Sequence, residues 1–116
     1  MVLAAVADLM FSSKIRAAAS AAGTDLEFAR TSGDVLDRAR ERGPGLVLFD
    51  LNAGPSLDPI GTIARFKADA RLQGIRLVGF VSHVQSDVIA AARAAGIDEV
   101  LARSAFVARL PELLAG

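Results

Sequence analysis

The chain has 116 residues, enough for a single domain spanning 1–116. Hydrophobic residues make up 53%, which excludes a disordered chain and predicts a core of ordinary size. The formal net charge is zero, from 13 basic and 13 acidic residues, which argues against binding nucleic acid or a membrane surface by bulk charge.

Val2 to Ala7 is a continuous apolar run ending at Asp8, the pattern of a buried strand. It has no basic segment before it, so it is a poor signal peptide. No stretch approaches the ~20 apolar residues of a membrane span. Ser12 and Ser13 are candidate caps for a first helix, whose inner face is Phe11, Ile15, Ala18, Ala19 and Ala22. Gly23 is its natural stop. Asp25 to Arg30 alternates polar and apolar, as a half-exposed edge strand does. Thr31-Ser32 caps a second helix with Val35, Leu36 and Ala39 inward, ending near Gly43-Pro44-Gly45.

Leu46-Val-Leu-Phe-Asp50-Leu-Asn52 is the central stretch. Its apolar run reads as a strand buried on both faces, with Asp50 at its carboxyl end. Asn52 to Pro59 is a loop, and Ile60, Ile63, Ala64 and Phe66 give one face of a third helix, which Leu72-Gln-Gly74 breaks. Arg76 to Val81 is a strand ending at Ser82-His83. Asp87 to Ala95 is a helix with Val88, Ile89 and Ala92 inward and Gly96 as its stop. Asp98 to Ala102 is a last short strand. In the tail from Arg103, Pro111 interrupts the helix, giving one turn before it and another from it. Strand and helix alternate five times, the signature of a parallel sheet covered on both faces.

In such sheets chemistry gathers beyond the carboxyl ends of the strands. The first strand-helix turn holds no glycine, so neither a dinucleotide fingerprint nor a P-loop is present. There is no cysteine, which excludes disulfides, thiolate metal sites and cysteine nucleophiles. Asp8, Asp50, Ser82 and Arg103 all follow or end strands, and sheet topology brings them to one edge. Two carboxylates, a hydroxyl and a cation could hold a divalent metal and a phosphoryl group.

Gly45-Leu-Val-Leu-Phe-Asp-Leu-Asn52 resembles the central strand of response-regulator receiver domains, and Gly96-Ile-Asp-Glu-Val100 resembles the stretch before their last strand. The resemblance covers essentially the whole chain. It implies a flavodoxin-like α/β fold with a five-stranded parallel sheet in the order 2-1-3-4-5. It implies Asp50 as phospho-acceptor and Ser82 as the hydroxyl that moves onto the phosphoryl group. Asp8, Asp50 and the backbone carbonyl of Asn52 would hold magnesium.

The chain also departs from the family pattern. Ala7-Asp8 offers one acid where the family has two, and Arg103-Ser104 stands for a lysine and a proline. Val100 replaces an aromatic, and His83 stands where a small residue is usual. Together these imply an atypical member. Each candidate also has a structural reading. Asp50 can be a polar strand end, Asp8 a helix N-terminal acid, Ser82 a turn cap and Arg103 an Asp50 salt-bridge partner. His83 reads as structural, the Arg38 to Arg42 cluster as a solvated helix face, and the tail from Phe106 to Leu114 as core.

The expected function is that of a stand-alone, non-enzymatic, cytoplasmic receiver-like signalling domain. It acts through protein partners, a sensor kinase or a downstream protein, with a homodimer as one assembly and no nucleic acid or membrane. A phosphorylation-independent adaptor and a small-molecule-binding flavodoxin-like domain are the alternatives.

Overall fold

The computed structural model describes residues 1–82 and 85–115. Element order is β1 Val2–Ala5, α1 Leu9–Ala22, β2 Leu26–Ala29, α2 Ser32–Arg42, β3 Leu46–Asp50, α3 Pro59–Ala68, a 3-10 turn Ala70–Leu72, β4 Arg76–Val81, α4 Ser86–Ala95, β5 Glu99–Ala102 and α5 Arg103–Ala115. The sheet has five parallel strands in the order β2-β1-β3-β4-β5. This is the expected architecture.

Alternation along each strand divides the core in two, because successive side chains point to opposite faces. On β3, Val47 and Phe49 join one cluster with Val35, Ile63 and Phe66 from α2 and α3. Leu46 and Leu48 join the other with Ile15 from α1 and Leu110 from α5. That second layer is centred on Phe80. Its ring lies 4.4 Å from Phe11 and stacks 4.2 Å from Phe106. Aromatic contacts of this kind add to the stabilisation from buried area alone.

The sequence located the stop of α1 and the inner face of α2 well, but Ala22 and Ala64, read as inward, are exposed, and α3 ends at Ala68, before Leu72. Gly23 closes α1 in the left-handed conformation, where a side chain would be strained. Thr31 caps α2, and Val35, Leu36 and Ala39 are its buried residues.

Two further expectations are corrected. Ser12 and Ser13 lie inside α1, and Asp8 is the cap: its Oδ1 accepts from the Phe11 N–H at 3.0 Å. The helix therefore begins a turn earlier than the serines suggest. Pro111 does not divide the tail, since α5 runs unbroken across it. Phe106 and Leu110 before the proline, and Leu113 and Leu114 after it, are all buried in one cluster. That shared burial outweighs the local cost of a helical proline, about 3 kcal/mol.

Candidate functional site

Parallel pairing brings the ends of all five strands to one edge. Asp50 is the last residue of β3 and pairs with Phe80 of β4. Immediately after it the chain must turn. The Leu51 N–H donates to the Phe80 carbonyl at 3.0 Å, and the Leu51 side chain folds over Gly79. A Cβ on Gly79 would lie 2.9 Å from Leu51 and 2.8 Å from Ile97, so only glycine admits this packing.

Asp50 is 7% exposed. Its Oδ1 accepts from the Asn52 N–H at 3.0 Å. Burial pushes its carboxyl above the usual carboxylate range, the Asn52 hydrogen bond opposes this, and the charge of Asp8 adds to the rise. No ion pair reaches Asp50 among the described residues.

The pocket in front of Asp50, about 250 Å³, is lined by Ala7, Arg30 and the β3–α3 loop from Ala53 to Leu57. That loop is held in place from α2: the Ser32 N–H donates to the Ser56 carbonyl at 2.8 Å. Ser32 Oγ also lies 2.7 Å from Thr62 Oγ1 and accepts from Arg65 Nη1 at 2.8 Å. Thr62 in turn donates to the Leu57 carbonyl at 2.8 Å.

The side chains of the four residues expected at this edge do not line one pocket, though Asp8 lies near enough for its charge to act on Asp50. Asp8 is exposed, caps α1 and does not line the Asp50 pocket. In the sheet register Ala5 pairs with Phe49, so Val6 and Ala7 follow at the level of Asp50. The positions nearest the carboxylate on β1 are therefore apolar. Arg103 opens α5 instead of facing Asp50, which corrects the expected salt bridge. Its guanidinium lies 5.5 Å from the Phe11 ring centroid, with Nη2 3.5 Å from Met10 Sδ. Ser82 is half-buried and lines a separate groove together with Arg103. Its N–H donates to Asn52 Oδ1 at 2.6 Å, while Asn52 Nδ2 donates to Gln85 Oε1 at 3.1 Å. His83 lies outside the described residues.

Two contributors were missed in the sequence. Arg30 is the cation that shares the pocket with Asp50. It ends the alternating segment of β2, and the strand order alone would have carried it to this edge. The side chain of Asn52, whose backbone carbonyl alone was singled out in the sequence, ties β3's end to the residues after β4.

The donor set was tested against a divalent cation. Magnesium typically takes one or two carboxylates beside phosphate oxygens and water. The pocket offers one carboxylate, whose charged form is disfavoured by burial, beside an arginine. No group of three histidine, cysteine or acidic residues is placed to hold a metal among the described residues. Asp50 is the one carboxylate that lines the pocket, and Asp8 acts on it only through its charge.

No family model matches the chain, and no curated protein does. Solved structures do. A response regulator from Hahella chejuensis superposes with a TM-score of 0.85 at 18% identity, over 98% of this chain and 91% of that one. The phosphorylated cyanobacterial phytochrome response regulator RcpA gives 0.80 at 20%, over 99% and 88%. The response regulator Rcp1 in its Mn2+-bound form gives 0.77 at 20%, over 99% and 88%. The fold is that of response-regulator receiver domains. No helix among the described residues is long and apolar enough to cross a membrane.

Proposed function

We propose that this chain is a receiver-like signalling module that works by protein–protein contact, is not an enzyme, and does not depend on phosphorylation of Asp50. The observation that carries this reading is the composition of the Asp50 pocket. Phosphoryl transfer to a carboxylate needs the anionic nucleophile and positive charge at the incoming oxygens. Here burial disfavours the anion, Ala7 stands where a second acid would be needed, and Arg103 is engaged with Phe11 and Met10. A carboxylate so placed serves as a polar anchor for the turn at Asn52.

The fold supports the signalling class, since its solved neighbours include response regulators, one of them phosphorylated. The partners are therefore proteins, and magnesium is not required. The test is incubation with magnesium and a small acyl-phosphate donor, followed by intact-mass measurement. The expected result is no added phosphoryl mass, or slow and partial addition. Rapid stoichiometric modification at Asp50 would overturn the reading and restore the phospho-acceptor role.

A further inference from the structure

Asp50 is the one buried acidic residue among the described residues. Its Oδ1 takes the Asn52 N–H, and its second oxygen has no hydrogen bond among them. A buried carboxylate in that state calls for a partner. Arg30 lines the same pocket, yet it has neither a hydrogen bond nor an ion pair among the described residues. Arg16, Arg65 and Arg93 also lack ion pairs, but none of them lines a pocket with a buried carboxyl. Position, not charge, therefore sets Arg30 apart. The pocket holds one anion and one cation, brought by different strands, and neither neutralises the other. Asp8 adds negative charge on the Asp50 side. The walls between them include the apolar Ala53 and Leu57. The Ser32 N–H on the Ser56 carbonyl and the Thr62 hydroxyl on the Leu57 carbonyl already brace this loop, so little ordering is left for a ligand to impose.

We infer that this pocket binds a small zwitterionic amino acid, with its carboxylate on Arg30, its ammonium on Asp50 and its short apolar part against Ala53 and Leu57. A simple anion gains Arg30 but meets the charges of Asp50 and Asp8, and a simple amine gains Asp50 but meets Arg30. A molecule that carries both charges neutralises both residues at once. The guanidinium fork suits a carboxylate in particular. The volume of about 250 Å³ lies below the ~300–1,000 Å³ of pockets that hold drug-sized ligands, which limits the occupant to about the size of alanine or valine. Binding is reversible, with no bond made or broken. This inference rests on the reading of Asp50 as a residue whose phosphorylation the module does not need, and it gives that module a chemical input of another kind.

The test is titration of the 15N-labelled full chain with alanine, valine and β-alanine, and with the half-molecules propionate and ethylamine. At least one of the three amino acids should bind saturably at about 1 mM or tighter, shifting the amides of Arg30, Ala53 and Leu57. Each half-molecule should bind about tenfold more weakly or worse. Arg30→Gln should leave the amino acid binding no better than ethylamine, and Asp50→Asn no better than propionate. Both variants keep neutral polar side chains, and chemical denaturation verifies that they are folded. Arg30→Lys, which keeps the charge, should recover part of the affinity lost in Arg30→Gln. Equal binding of amino acid and half-molecule, shifts centred elsewhere, no saturation with any of the three, or unchanged binding in a folded Arg30→Gln or Asp50→Asn overturns the inference. Phosphorylation of Asp50 is read by mass with an acyl-phosphate donor, and amino acid binding is read without one. Failure of the earlier reading is thus distinguishable from failure of this one.

Discussion

The side of the sheet edge around Asp50 and the side around Arg103 share one set of strand ends but use their polar groups on opposite terms. At Asp50 the polar groups mostly bond one another. Its carboxylate receives the Asn52 N–H, the loop in front is held by Ser32, and Asn52 bridges to Ser82 and Gln85. At Arg103 the polar groups are few, and the surface is an open apolar groove beside exposed Leu9 and Met10. The first side is a hydrogen-bonded joint, and the second is a surface with unspent apolar area. Asp50 still faces a pocket of about 250 Å³, so the two sides differ in how their polar groups are used and not in whether they open to solvent.

The groove side depends on the layer beneath it, and the largest effect is expected there. Phe80 supports both Phe11 and Phe106, and so carries the α1 and α5 walls. Phe80→Ala should destabilise the chain by about 3–5 kcal/mol, read from chemical denaturation, because burial and a fully enclosed cavity both count. A loss under about 1 kcal/mol would mean that the groove rests on other contacts.

On the joint side, Asn52→Ala removes the acceptor for the Ser82 N–H and the donor to Gln85. The expected cost is about 1–3 kcal/mol, since the Ser82 N–H is left without its partner. Hydrogen exchange at Ser82 should accelerate with it. If exchange there is unchanged, the joint is not what orders the end of β4.

Asp50 separates the two sides by pH. Its carboxyl is raised by burial, so the folded chain holds a proton more tightly than the unfolded chain. Stability therefore falls as pH rises from the ordinary carboxylate range through the raised value, and above it the penalty is complete. Asp50→Asn keeps an oxygen for the Asn52 N–H and removes the charge. Its denaturation midpoint should exceed that of the native chain at neutral pH, and the difference should shrink to nothing in acid. A variant less stable than the native chain at neutral pH would show that the charge is compensated, and that the pocket is prepared for an ionised carboxylate after all.

The same contrast explains what could be foreseen. The central run from Leu46 to Asp50, the inner face of α2 and the glycine stop of α1 were legible, because period and turn chemistry report backbone and burial directly, whereas the strand order came from the resemblance to receiver domains. Asp8 was legible both as an acid near the edge and as a helix N-terminal acid. That it, and not the serines, caps α1 depended on where β1 ends, and β1 stops at Ala5 instead of Ala7. Pro111 misled because a local rule met a helix buried on both sides of it. Arg103 misled for a different reason: a long side chain chooses among several partners in reach, and spacing does not say which.

The choice made by Arg103 gives the smallest effect and the cleanest discrimination. Resting on Phe11 and against Met10 Sδ at an exposed position, it should contribute only about 0.5–1 kcal/mol. Arg103→Ala should lower stability by that amount and leave the titration of the Asp50 carboxyl, followed by 13C chemical shift, where it was. If Arg103 were instead the cation that locks the Asp50 pocket, its removal would push that carboxyl further upward, because an opposite charge in contact favours the ionised form. The stability change alone does not separate these cases, since a surface ion pair is worth a similar amount. The Asp50 titration does, because only one arrangement places the guanidinium where the carboxylate can feel it.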